Sequence, residues 1–191
     1  GDAKAGEKVL ILGASGGVGV CCVQLAKIAG AYVIACAGSE EKAQRLKELG
    51  ADEVILYTKD DFLQVVRERH GRPQRMRGKP GNGGVDVVVN FTGGDTWVKS
   101  LRTLKLGGRI LTCGATAGFD PPEDLRVIWT FELIVRGSNG WEPSDITSLF
   151  ELVSSGKLKV QIDKVYPLEQ AGDAMRALED RQVFGKVVVT P

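Results

Sequence analysis

Apolar positions along the chain fall into short continuous runs separated by stretches of helical period. Val9-Leu10-Ile11-Leu12 is such a run, the pattern of a strand covered on both faces. After a glycine-rich turn, Val18, Val20, Cys21, Val23, Leu25, Ala26, Ile28 and Ala29 trace a largely buried helix. The same alternation continues, predicting strands at 8–12, 32–36, 53–56, 85–90, 108–113 and 132–137. Helices are predicted at 17–29, 40–49, 60–69, 95–104 and 145–155. Ser39 is the expected N-cap of the second helix and Gly50 its close; Gly107-Gly108 is expected to end the helix before the fifth strand. Strands joined by crossover helices predict an α/β fold, a Rossmann-type doubly wound six-stranded parallel sheet. Past Gly140 the alternation breaks. Helix 145–155, an extended run at 163–168, a helix near 169–180 and a strand at 185–190 predict a C-terminal helix-strand-helix-strand tail.

The turn after the first strand carries the chemistry. Gly13, Gly16, Gly17 and Gly19 remove side chains from the strand-to-helix corner. Ala14-Ser15-Gly16 followed by Val18 and Gly19 stands in the register of the G-x-G-x-x-G fingerprint. Such a corner lets a diphosphate approach the backbone and sit on the helix N-terminus, where N–H groups and the helix dipole favour anions. Residues 1–140 are therefore expected to form a dinucleotide-binding domain, with 141–191 as the appended tail.

Composition narrows the classes. The chain has 191 residues, a net charge of +1 and 43% hydrophobic residues, which argues against disorder and against broad nucleic-acid affinity. No apolar run approaches the roughly 18 residues of a membrane span, and no signal peptide is visible. A cytoplasmic protein is expected, with Cys21, Cys22, Cys36 and Cys113 as small buried hydrophobes. No C-x-x-C spacing occurs and His70 is the single histidine, so no metal site is expected within the chain. The segment 67–84 holds Arg67, Arg69, His70, Arg72, Arg75, Arg77 and Lys79 among glycines and prolines. It contains no aromatic residue to stack on bases, which favours a solvated loop over a phosphate or nucleic-acid contact. His70 is not expected to act in catalysis, because the third helix ends away from the glycine turn.

Strand two ends Ala35-Cys36-Ala37-Gly38-Ser39, without the acid that would hold an NAD ribose. Glu40 and Glu41 fall on the opening helical turn instead, where acids serve the dipole. Lys42 can reach back over Gly38, and Tyr57 follows strand three. Ser39 as donor, Lys42 as counter-charge and Tyr57 as wall and donor read as an NADP(H) pocket. Asn90-Phe91-Thr92-Gly93-Gly94, Cys113-Gly114-Ala115-Thr116 and Gly137-Ser138-Asn139-Gly140 follow strands four, five and six. These small and hydroxyl residues suit a flat nicotinamide and its carboxamide.

With these motifs in order, the chain resembles the medium-chain dehydrogenase/reductase superfamily, in its quinone oxidoreductase-like and zinc-type alcohol dehydrogenase branch. Further support comes from Leu49-Gly50-Ala51-Asp52-Glu53-Val54-Ile55, Val85-Asp86-Val87-Val88-Val89, Leu106-Gly107-Gly108-Arg109 and Phe184-Gly185-Lys186-Val187-Val188-Val189. The resemblance implies that Gly16, Gly17, Val18 and Gly19 cradle the diphosphate, that Ser39, Lys42 and Tyr57 meet the 2′-phosphate, and that Thr92, Gly114 and Ser138 line the nicotinamide side. It implies a GroES-like catalytic domain ahead of this segment, to which the tail returns and which holds the substrate pocket and any zinc. A homodimer through the sheet edge is also implied. On that reading the chain is a segment of a larger oxidoreductase, inactive alone, with no catalytic residue of its own. A non-catalytic NADP(H)-binding sensor or structural module is the alternative. Two departures stand out: the basic insertion at 71–82, and Asn90, where the family commonly has Asp.

Overall fold

The computed structural model describes residues 2–75 and 83–191. Six strands, β1 (Lys8–Ile11), β2 (Tyr32–Ala37), β3 (Glu53–Leu56), β4 (Val85–Val89), β5 (Leu104–Thr112) and β6 (Ile134–Gly137), form one sheet in the order β3-β2-β1-β4-β5-β6. All its neighbours pair in parallel. This is the predicted doubly wound order, with its reversal point between β1 and β4. The connecting helices are α1 (Gly17–Ile28), α2 (Glu40–Glu48), α3 (Phe62–His70), α4 (Thr96–Leu101) and α5 (Leu125–Thr130). The tail contributes α6 (Pro143–Ser154), β7 (Ile162–Pro167), α7 (Ala171–Glu179) and β8 (Lys186–Thr190), with β7 and β8 paired in a separate parallel sheet. Of the basic segment 67–84, residues 76–82 lie outside the described residues, Arg77 and Lys79 among them.

Period-two alternation sorts the strand side chains between two cores. Val9 and Ile11 of β1 and Val33, Ala35 and Ala37 of β2 face Val20 and Val23 of α1 and Ala43 and Leu46 of α2. Leu10, Ile34, Cys36 and Val88 point the other way, onto Phe62, Val65 and Val66 of α3 and Trp97 and Leu101 of α4. Continuous apolar runs are what a strand with two buried faces requires. Tail residue Phe184, only 1% exposed, belongs to the first core.

Two boundaries differ from expectation. The fourth helix was predicted to run to 104, but it ends at Leu101, and Leu104 already opens β5. Gly107, at φ +73°, lies inside β5 rather than capping a helix, and the β4–β5 pairing shifts register between Val85 and Val87. A glycine pair that suits a C-cap suits a strand irregularity equally well, and only the partner strand decides. Helix α5 was not predicted. It spans six residues and buries none of them, so it offers no periodic apolar face to read. Among the cysteines Cys36 is buried, but Cys113 is exposed just past β5, contrary to the expectation of four buried thiols.

His70 closes α3 at the edge of the sheet where β2 and β3 begin, opposite to the glycine turn. Its side chain is 8% exposed, with Nε2 3.0 Å from Glu53 Oε1 and the ring edge-on to Tyr32. Burial holds its pKa below the ordinary 6.5 despite the attraction of Glu53. As pH falls below 6.5 the unfolded chain takes up this proton before the native one does, so stability present above that pH is lost. The urea midpoint is therefore expected to fall between about pH 6.5 and pH 5, ahead of most carboxylate titration. His70→Gln should flatten that stretch of the profile; an unchanged slope would exclude His70 as its source.

Candidate functional site

The corner between β1 and α1 is built on close approach. Gly13 is left-handed at φ +60°, and Gly16 N donates to its carbonyl at 3.0 Å. Gly16 caps α1 in an extended conformation without a side-chain bond, and the first turn holds no acid. The helical ladder begins with Val20 N donating to Gly16 O at 3.0 Å, which leaves the N–H groups of Gly17, Val18 and Gly19 without helical partners. A Cβ on Gly19 would overlap Gly13 O and stand 2.6 Å from Ala14 Cα, so helix and turn meet backbone to backbone. A Cβ on Gly17 would stand 2.7 Å from Lys186 Nζ. The Lys186 ammonium thus lies over the positive end of α1, with no hydrogen bond or ion pair among the described residues. A cation against a helix N-terminus is unfavourable unless an anion lies between them.

The tail brings Lys186 there. Gly185 N donates to Ser15 O at 2.8 Å, and Gly185 bridges Gly16. Gly185 is left-handed at φ +83°, and a Cβ there would meet Gln161. Behind it Phe184 is held by the Arg45 guanidinium, 4.0 Å above its ring.

Gly38, Ser39, Lys42 and Tyr57 do come together at the ends of β2 and β3. Ser39 Oγ accepts from Lys42 N at 3.3 Å as the N-cap of α2. A Cβ on Gly38 would stand 2.6 Å from the Tyr57 hydroxyl, so only glycine lets the tyrosine close over the strand end. The Lys42 ammonium does not reach back over Gly38 as expected. It donates to the carbonyl of Arg181 in the tail at 2.5 Å, and burial draws its pKa below the ordinary lysine value. Arg181 itself is left-handed at φ +55° and lines the cleft. Glu40 is occupied by Lys59 at 2.7 Å.

A cleft of about 1170 Å³ opens along this edge, walled by Leu12, Gly13, Tyr57, Thr92, Thr116 and Arg181 among others. Thr92 is set by Asn90, which is completely buried. Asn90 Oδ1 accepts from Thr92 N and Gly93 N, both at 2.9 Å, while Nδ2 donates to Ser100 Oγ at 2.9 Å and Thr96 Oγ1 at 3.1 Å. A carboxamide accepts and donates at once, which an ionised Asp could not do here. The other expected lining residues disperse. Gly114 and Ala115 stand behind the cleft: the Ala115 methyl packs where Gly93 lacks a side chain, while Thr116 and Ala117 reach the wall. Val18 and Ser138 line a separate groove of about 570 Å³ with Cys22, Leu111 and Cys113, between α1 and the strands β4 and β5. That Arg181 and Lys186 stand at this end of the sheet is not legible from spacing, because they lie far along the chain from the motifs they join; Lys42 and Arg181 are 139 residues apart. Among the described residues no cluster of three His, Cys, Asp or Glu could hold a metal ion.

Gly19→Ala is expected to cost about 1–3 kcal/mol in chemical denaturation, since the new methyl meets backbone that cannot yield. Gly17→Ala meets only the flexible Lys186 chain and gains helix propensity, so its stability should be unchanged or slightly raised. Equal costs at the two positions would contradict the close approach at Gly19.

A family model described as zinc-binding dehydrogenase matches residues 17–155. The 2-haloacrylate reductase of Burkholderia sp is 36% identical over 202 residues, covering 98% of this chain and 56% of that protein. A crystal structure of an NAD-dependent alcohol dehydrogenase superposes with a TM-score of 0.87 at 37% identity, over 99% of this chain and 52% of that one. The 2-octenoyl-CoA carboxylase reductase CinF, solved with NADP and 2-octenoyl-CoA, gives a TM-score of 0.84 at 28% identity, over 97% and 43%. The chain spans about half the length of these relatives. With its doubly wound sheet, its glycine corner and a match across most of its length, the chain belongs to the zinc-binding dehydrogenase family, within the medium-chain dehydrogenase/reductase superfamily.

Proposed function

We propose that the cleft binds NADP(H) as part of an oxidoreductase that transfers hydride between the nicotinamide and an alkene conjugated to a carbonyl group. The observation that carries this reading is the Lys186 ammonium beside the N-terminus of α1, where the cap makes no side-chain bond and the first-turn N–H groups have no helical partner, an arrangement that favours an anion. The N–H groups of Gly17, Val18 and Gly19 and the Lys186 ammonium would hold the diphosphate, with Ser15 and Gly16 shaping the turn. Gly38, Ser39, Lys42 and Tyr57, joined by Arg181, would receive the 2′-phosphate; Lys42 would turn from the Arg181 carbonyl to the stronger acceptor. Four cationic or hydroxyl groups, Ser39, Lys42, Tyr57 and Arg181, and no acid at the tip of β2 favour a 2′-phosphate over a free ribose hydroxyl. Thr92, held by Asn90, would meet the nicotinamide side, with Gly114 and Ala115 behind it, whereas Ser138, in the separate groove, takes no part in the cleft.

The nicotinamide, when bound, supplies the hydride. The residues of this chain bind and orient; none is assigned a proton transfer. Residues 1–140 act as the dinucleotide-binding domain, and 141–191 as a tail that also completes the cofactor site. Substrate contacts, and zinc if the reaction uses it, would belong to a further catalytic domain, and the chain alone would bind nucleotide without appreciable turnover. The relatives that act on 2-haloacrylate and 2-octenoyl-CoA favour an activated alkene over an alcohol. Alcohol–carbonyl interconversion is the second reading, supported by the alcohol dehydrogenase neighbour. A quinone acceptor is a further option, and a non-catalytic nucleotide sensor remains the reading to be tested against. The exposed edge strand β6, with Ile134 and Val135 outward, suits pairing with a second copy.

Parallel calorimetric titrations with NADPH and NADH test the assignment. NADPH is expected to bind more tightly. Lys42→Ala and Arg181→Ala should each weaken NADPH by about 1–3 kcal/mol and leave NADH nearly unchanged. Equal losses for both nucleotides would remove the 2′-phosphate assignment, and binding of neither would remove the cofactor site from this chain.

A further inference from the structure

We propose that the opposite edge of the sheet carries a second anion site, separate from the cofactor cleft, that takes a small phosphate-bearing compound. Arg67, Arg72 and Arg102 line one cavity of about 280 Å³, whose remaining walls are Pro73, Val127 and Phe131. Arg67 lies in the last turn of α3, Arg102 caps α4, and Val127 and Phe131 belong to α5 and its C-cap. These helix ends lead into the starts of the following strands. The cavity therefore sits across the full length of the sheet from the glycine corner.

Basic residues at helix C-termini are ordinary, because they complement the dipole. In this molecule several others find acids. Lys27 pairs with Asp52, Arg45 with Asp163, Arg69 with Glu53 and Lys99 with Asp61. Arg67, Arg72 and Arg102 form no ion pair among the described residues, and the buried Nε of Arg67 has no hydrogen-bond partner. Asp124 feels the charge of Arg102, but its oxygens are engaged by Arg126 at 2.8 and 3.0 Å. Three guanidinium groups around one cavity repel each other, and a buried N–H without an acceptor costs free energy. Both costs are relieved by one anion with several acceptor oxygens. Guanidinium groups match the oxygens of a phosphate bidentately, which makes phosphate the fitting group.

The walls and size narrow the ligand further. Pro73, Val127 and Phe131 offer an apolar surface beside the charges, suited to a small apolar or flat group attached to the phosphate. At about 280 Å³ the cavity falls just below the ~300–1,000 Å³ usual for drug-sized ligands, and so excludes a dinucleotide. This site would give Arg67 and Arg72 a role that the cofactor cleft does not.

The test uses inorganic pyrophosphate as probe, with the full chain and thermal stability or calorimetry as readout. Pyrophosphate can also occupy the glycine corner, so three proteins are compared: wild type, Arg72→Gln/Arg102→Gln and Lys186→Gln. Both arginines are exposed, and the double variant should fold normally by circular dichroism. The proposal expects the double variant to lose pyrophosphate affinity by about tenfold or more, as for two charge-assisted hydrogen bonds. NADPH binding by that variant should be unchanged, and Lys186→Gln should retain the arginine-dependent part of the pyrophosphate response. Arg67→Gln should reproduce the loss. Undiminished pyrophosphate binding in the double variant, or a response abolished by Lys186→Gln alone, would overturn the second site.

Discussion

The contact between Gly19 and the backbone of Gly13 and Ala14 is the constraint on which the rest of the cleft depends. Because no side chain intervenes there, α1 starts against the end of β1 and points its unpaired N–H groups into the space above the sheet. Leu10 and Ile11, both fully buried, hold β1 at the centre from opposite faces. The strand cannot retreat from the helix without opening one core or the other. The geometry of the corner is thus set by packing on both sides of the sheet, and the chemistry of the corner follows from the geometry.

The tail is an integral part of this arrangement. Phe184 is buried in the core formed by α1, α2 and the sheet, with Arg45 stacked on its ring. That anchor places Gly185 against Ser15 and Lys186 over α1, and it places Arg181 within reach of Lys42. Two of the cations around the cleft therefore come from residues that the pattern of strands and helices assigns to an appendage. The left-handed backbone at Arg181 and Gly185 turns the chain twice within a few residues; Arg181 lines the cleft and Gly185 meets Ser15.

The two halves of the sheet are unequally covered. Over β1, β2 and β3 each face has helices packed on it, and the side chains there are almost wholly buried. Over β4 and β5 one face opens into the groove lined by Leu111, Cys113 and Ser138, and α6 buries none of its residues. The cleft walled by Gly13, Tyr57 and Thr92 lies at the boundary between these halves. There the crossover from β3 to β4 leaves a crevice at the strand ends.

Much of this was legible in the order of residues along the chain. Continuous apolar runs specify strands with two buried faces, and the glycine spacing after Val9-Leu10-Ile11-Leu12 specifies a strand-to-helix corner, because both patterns are local and have few other physical solutions. The joint position of Gly38, Ser39, Lys42 and Tyr57 was legible for the same reason, since adjacent parallel strands bring their ends together. What depended on tertiary packing was everything carried by distant residues. Gly107 could cap a helix or kink a strand, and only β4 decided between them. Ser138 shares its strand-end position with Thr92 yet faces another groove, because side-chain direction depends on how each loop leaves the sheet. Nothing local tells that Arg181 and Lys186 reach the glycine corner: they come there because Phe184 is buried in a core whose other buried members all lie at or before Val87.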